Sequence, residues 1–154
     1  MSAYGATVVW QRGDADFSAN QYSRAHDWLF DGGLRVPASA SPHIVPLPHS
    51  VAENVDPEEA YVASLSSCHM LFFLSFACEE GIVVDEYRDD AVGHLEKDDQ
   101  GRWAMTRVIL RPQATYAAGT EPDRAQLEAL HHRAHEHCFI ANSVRCDIAT
   151  EIVS

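Results

Sequence analysis

Residues 56–81, DPEEAYVASLSSCHMLFFLSFACEEG, constrain the fold more than any other stretch of the chain. Asp56 suits a helix N-cap and Pro57 the first helical position. Glu59 stands at capping-box spacing, and Gly81 is a natural C-terminal stop. The segment predicts one helix about 35 Å long at ~1.5 Å per residue. Its first half is mixed. Its second half is apolar nearly all round, which marks a helix surrounded by protein and not one lying on a surface. One further helix cannot cover it, so a partner chain is expected, with a homodimer as the leading form.

The remaining segments read as an α+β domain. Residues 6–10 and 21–30 have strand character, and the second runs into the turn Asp31-Gly32-Gly33. VPASASPHIVPLPHS carries four prolines and predicts an irregular but ordered excursion. Residues 87–97 and 102–116 read as a β-hairpin around Asp98-Asp99-Gln100-Gly101, with Trp103, Met105, Arg107 and Ile109 alternating against Ala104, Thr106, Val108 and Leu110. A second helix is expected over 120–136, capped by Thr120, with Leu127, Leu130 and Ala134 as its apolar stripe. CFIANSV follows as a turn, and Cys146, Ile148 and Ile152 mark a closing strand.

With 154 residues, one domain spanning 1–154 is expected. The net charge of −12 has the wrong sign for tracking phosphates, so neither nucleic acid nor an anionic membrane surface is an expected partner. No run of eighteen uncharged apolar residues and no secretory signal is visible, which predicts a cytoplasmic chain. Its four cysteines then do not read as a disulfide scaffold, and each is core, redox or metal.

Cys68 and Cys78 lie ten residues apart on the expected helix, about 15 Å in rise, so they cannot bond to each other. Cys78 and Cys146 read as small buried hydrophobes. Cys68 follows Ser64, Ser66 and Ser67, where the helix turns apolar, and a thiol there suits a pocket with apolar walls and a polar mouth. It is open at this point whether that thiol is functional. His131, His135 and Cys138 fall at i, i+4 and i+7, one helical face. They are either a solvated polar face or a zinc-binding or redox-sensing set with an open position. Arg24, in YSRAHDW, reads as an ordinary salt-bridge partner, and Glu58 with Glu59 is explained by the helix dipole. No Gly-rich phosphate loop and no Gly-x-Ser-x-Gly elbow is present.

DPEEAYVASLSSCHM, an apolar half-helix, a hairpin and then HEHCFIANSV together resemble the OsmC/Ohr family of thiol-dependent peroxidases. The core of the match is Pro57-Glu58 with Cys68 ten residues after the glutamate, and Cys138 seventy residues later behind a second helix. The resemblance implies an OsmC-like fold, antiparallel sheets on a long central helix, in an intertwined homodimer with active sites at the subunit interface. It implies reduction of organic hydroperoxides and hydrogen peroxide without metal or organic cofactor, and resetting by a dithiol or lipoyl-type reductant. Residue by residue, Cys68 matches the peroxidatic cysteine, Cys138 the resolving cysteine, Glu58 the active-site glutamate and Arg24 the active-site arginine. Arg24 would then favour the thiolate and Glu58 would fix its planar fork. Cys78 and Cys146 match no catalytic position. A family member that keeps the fold but only binds an apolar ligand is a further alternative. The chain departs from the best-known branches at His69, where an apolar residue is usual, and at Phe139-Ile140-Ala141, where Pro-Val-Ser is common. His69 and His26 are either pocket-tuning groups or plain polar positions.

Overall fold

In a computed structural model that describes residues 1–154, the α+β class is as expected, and the chain packs as two compact units, Met1–Ala60 and Tyr61–Ser154. The first unit holds β1 (Thr7–Val9), β2 (His26–Leu29) and β3 (Arg35–Ala38) in an antiparallel sheet of that order. The predicted second strand is shortened at its start, because the Arg24 amide bonds the His49 carbonyl (2.8 Å) and not a neighbouring strand. β3 runs through Pro37, in the segment expected to be irregular. It is an edge strand, where a missing amide is tolerated, and the Pro37 carbonyl accepts from Val55 at 3.2 Å. The excursion that follows is pinned by fully buried Ser39, whose amide reaches Val55 O (2.9 Å) and whose hydroxyl accepts from Val51 N (2.9 Å).

α1 (Pro57–Glu79) starts and stops as its sequence dictates. The Asp56 carboxylate accepts the Glu59 amide at 2.8 Å, and Asp56 itself is buried. At the far end Gly81 takes φ +73°, with Ile82 N to Ala77 O at 2.9 Å and Gly81 N to Cys78 O at 3.1 Å, the two bonds of a Schellman stop. At 23 residues α1 is long and apolar enough to cross a membrane by composition alone, yet Leu65, Phe73, Phe76 and Ala77 are buried against protein.

In the second unit the expected hairpin is present but broken midway. β4 (Val84–Asp89) pairs with β7 (Pro112–Tyr116), and β5 (Val92–Lys97) with β6 (Trp103–Leu110). At the break the Asp89 carboxylate accepts both the Arg111 amide (2.6 Å) and the Ser66 hydroxyl (2.5 Å), which ties the bend to α1. The turn is closed by Asp98, which accepts Gln100 N and Arg102 N at 2.9 Å each. Beyond it Gly93 lies so close to the helix that an added Cβ would meet Val62 at 2.5 Å and Met105 at 2.6 Å.

α2 spans Arg124–His137 and is capped by Asp123, not by Thr120. Pro122 disfavours a helical Glu121, so the helix begins past it. Asp123 accepts Gln126 N and Gln126 reaches back to Asp123 N, a complete capping box, while Thr120 accepts the Val83 amide (3.2 Å). A 3-10 turn, Ala141–Ser143, leads to β8 (Asp147–Thr150), which joins β6 in parallel. Two apolar clusters result. Phe73, Phe76, Ala77 and Ile82 pack with Leu130 and Ala134 of α2, and Leu65 packs with Val108 and Leu110 of β6. The opposite face of α1 stays open. Leu71 is 60% exposed, and Cys78, expected in the core, is exposed as well, because the two clusters fill only one side of the helix.

Candidate functional site

Cys68 and Cys138 are brought together by α1 and the C-terminal cap of α2. Neither they nor Cys78 and Cys146 are bridged. Cys138 is the C-cap residue, its amide bonding Ala134 O at 2.9 Å. The chain then turns back over it, so that Ala141 N donates to its sulfur at 3.4 Å. The side chain is 1% exposed, whereas Cys68 is half-buried. Burial pushes the Cys138 thiol up. The Ala141 amide opposes this, and a hydrogen bond with the Cys68 thiol raises it further. Only Cys68 is open to an incoming molecule, and the two cysteines are not equivalent.

Directly beside Cys68, His69 turns into the core and meets His131 of α2. His69 Nε2 and His131 Nδ1 are 2.9 Å apart, and the residues are 1% and 4% exposed. The ring centroids are 5.2 Å apart with the planes 6° from parallel, so at that N···N distance the rings meet edge to edge in one plane. Phe73 lies over His131 at 4.4 Å. Burial lowers both basicities, His69 to about 4 and His131 to about 3, the second helped by the first. Sequence reasoning groups His131 with His135 and Cys138 as a polar or metal-binding face. Instead the His131 Nδ1 is taken by His69, and no three His, Cys, Asp or Glu side chains gather as metal ligands. The signal for the pair was present in the sequence: His69 leads Phe73 by one turn, and His131 sits beside Leu130 and before Ala134 on the apolar stripe.

Cys146 is half-buried and accepts the Tyr61 hydroxyl at 3.1 Å, and burial followed by this bond raises Tyr61 to about 12. Cys146 is thus a hydrogen-bond acceptor in the core and not merely a small hydrophobe.

Arg24 and Glu58 belong to the first unit. The Arg24 guanidinium donates to Tyr22 O (2.6 Å) and Asn20 Oδ1 (2.8 Å) and lies 3.6 Å over the Tyr22 ring. Phe17 stacks on Tyr22 at 4.6 Å and Trp10 approaches edge-on at 5.5 Å. These residues, with His26 and Pro57, line an almost wholly apolar cavity of about 290 Å³. The expected ion pair between Arg24 and Glu58 is not formed, because backbone and Asn20 oxygens already occupy the guanidinium fork. Glu58 is half-buried without an ion pair.

Residues 50–153 match the family model described as OsmC-like protein. An OsmC-like protein of unknown function from Vibrio cholerae has 55% identity and a TM-score of 0.98, over 99% of this chain and 100% of its own. The organic hydroperoxide resistance protein OsmC of Legionella pneumophila shares the fold at 17% identity, with a TM-score of 0.72 over 100% of both chains. The organic hydroperoxide resistance protein OhrB of Bacillus subtilis does so at 21% identity, with a TM-score of 0.65 over 97% of this chain and 98% of its own. No curated protein matches the chain.

Proposed function

This chain belongs to the OsmC-like protein family, and from that premise we propose that it is a thiol-dependent peroxidase for organic hydroperoxides and hydrogen peroxide. The observation that carries the reading is the unequal thiol pair, with Cys68 half-buried and open to an incoming molecule and Cys138 buried beside it. The resistance to organic hydroperoxides for which the Legionella and Bacillus proteins are named agrees with it.

The chemistry balances without a metal. The Cys68 thiolate attacks one peroxide oxygen, the O–O bond breaks, and with one proton taken up the alcohol leaves. Cys68 is then a sulfenic acid. Cys138 condenses with it, giving a disulfide and water. An external dithiol, lipoyl-type in this reading, exchanges with that disulfide and carries away the two electrons' worth of oxidation. Arg24 serves as the cation of the reaction and Glu58 as the carboxylate that orients it, which requires the guanidinium to exchange Asn20 for Glu58.

Peptide mapping after one equivalent of cumene hydroperoxide tests the scheme. A Cys68–Cys138 disulfide is expected. A sulfinic acid on Cys68 beside an unreacted Cys138, or two untouched thiols, would overturn it.

A homodimer is part of the same proposal. The open face of α1, with Leu71 60% exposed, is the apolar surface a second copy would cover. Light scattering should give the mass of two chains, and a monomer mass at all concentrations would remove this element.

A further inference from the structure

We propose that the buried His69–His131 hydrogen bond is a positioning device that sets how closely the Cys68 and Cys138 sulfurs approach. The inference rests on the thiol-pair reading but not on peroxide chemistry.

The pair acts by leverage. His69 is the residue after Cys68 on α1, and His131 stands seven residues, nearly two turns, before Cys138 on α2. One bond therefore joins the helix that carries one sulfur to the helix whose cap carries the other. The other buried contacts between α1 and α2 are apolar, through Phe73, Phe76, Leu130 and Ala134, and the remaining polar link, Arg133 to Glu79 at 3.1 Å, is exposed at the end of α1. Such contacts are non-directional, and packed helices can slide against one another at small cost. The imidazole pair is directional. Its rings are coplanar within 6° and its nitrogens 2.9 Å apart, so a shift of about an ångström along either helix leaves a buried N–H unpaired. Phe73, one turn beyond His69, holds the His131 ring from its face at 4.4 Å and limits rotation out of the plane. Apolar side chains of similar size would fill the same space without desolvating two imidazoles. What the imidazoles add is register.

His69 and His131 are positioning residues in this account, since neither touches the reacting atoms. Their effect should appear in the rate at which the two thiols join. Diamide oxidises a dithiol directly: it takes up both thiol hydrogens with their electrons, leaves as the hydrazine, and the S–S bond forms. With the purified full chain, His69→Leu and His131→Leu are expected to slow Cys68–Cys138 disulfide formation by about 10-fold or more. The His69→Gln/His131→Asn double variant places amide groups where Nε2 and Nδ1 stand. It should recover most of the rate, whereas His69→Gln/His131→Leu, with the same packing on one side but no acceptor, should not. A merely space-filling role predicts no such recovery. Wild-type rates in the leucine variants would overturn the proposal. So would an amide pair no faster than the half-pair, a comparison that stands even if a leucine variant fails to fold. If the wild type forms the disulfide with diamide but not with cumene hydroperoxide, and the amide rescue holds, the peroxidase reading fails alone. If both oxidants work and the variants match the wild type, the positioning role fails alone.

Discussion

Replacing Cys68 by serine is expected to lower hydroperoxide turnover by at least about 10³-fold, a loss of roughly 4 kcal/mol of transition-state stabilisation. Serine is close to cysteine in size, and Cys68 is only half-buried, so the fold should survive. What disappears is a nucleophile that ionises readily and a sulfur that can hold the transferred oxygen. Cys138→Ser is expected to behave differently. It should still consume one equivalent of hydroperoxide, because Cys68 remains, but then stall as a sulfenic acid or over-oxidise. The buried position of Cys138, 1% exposed, keeps it from reacting with the peroxide itself. Cumene hydroperoxide consumption with a dithiol reductant, measured for both variants, separates the roles. Full turnover by Cys68→Ser would end the proposed mechanism. Full turnover by Cys138→Ser would leave Cys68 as peroxidatic but assign resolution to an external thiol.

Much of the frame was readable because single residues decide it. Asp56, Glu59 and Gly81 set the limits of α1 through local hydrogen bonds that need no tertiary information. The hairpin turn at Asp98 is likewise local. What escaped depended on distant partners. The hairpin breaks at Asp89 because Ser66, on α1, and Arg111, across the hairpin, both bond its carboxylate. β3 accepts Pro37 because it is the edge strand of its sheet, and Val55 beyond it uses the Pro37 carbonyl and the Ser39 amide, not an amide at Pro37. α2 starts late because Pro122 outweighs the cap offered by Thr120. At the candidate site, a family resemblance singles out Cys68 and Cys138, whereas periodicity alone leaves Cys68 undecided. His69 and His131 were both in view, but a buried polar pair is a relation between two helices. Helical spacing reports only which residues share one face.

The same pair should make the protein unusually sensitive to acid. In the unfolded chain both imidazoles bind protons near 6.5. In the folded chain burial first, and then neighbouring charge, lowers His69 to about 4 and His131 to about 3. His135 of α2 lowers His69 while Asp89 at the end of β4 raises it, and Arg124 adds to the lowering of His131. Between the two sets of values the unfolded chain binds more protons than the folded one. Stability is therefore fully present above about pH 6.5. It falls as pH drops through the window towards 4 for His69 and towards 3 for His131. Each ring contributes up to about 1.4 kcal/mol per pH unit, or about 2 kcal/mol by pH 5. Two such rings are a large fraction of the 5–15 kcal/mol that typically holds a domain together. Urea unfolding from pH 7 to pH 4.5 should show wild-type stability falling more steeply than that of His69→Leu/His131→Leu. The exposed carboxylates whose ion pairs also weaken in acid, such as Asp90 with Arg88 and Glu96 with Arg107, are common to both proteins and cancel in the difference. The leucine variant is free to be more or less stable at pH 7, since only the slopes carry the prediction. Parallel curves would mean that the two imidazoles are already protonated, or water-accessible, in the folded chain. The hydrogen-bonded neutral pair at the centre of the helix interface would then be wrong.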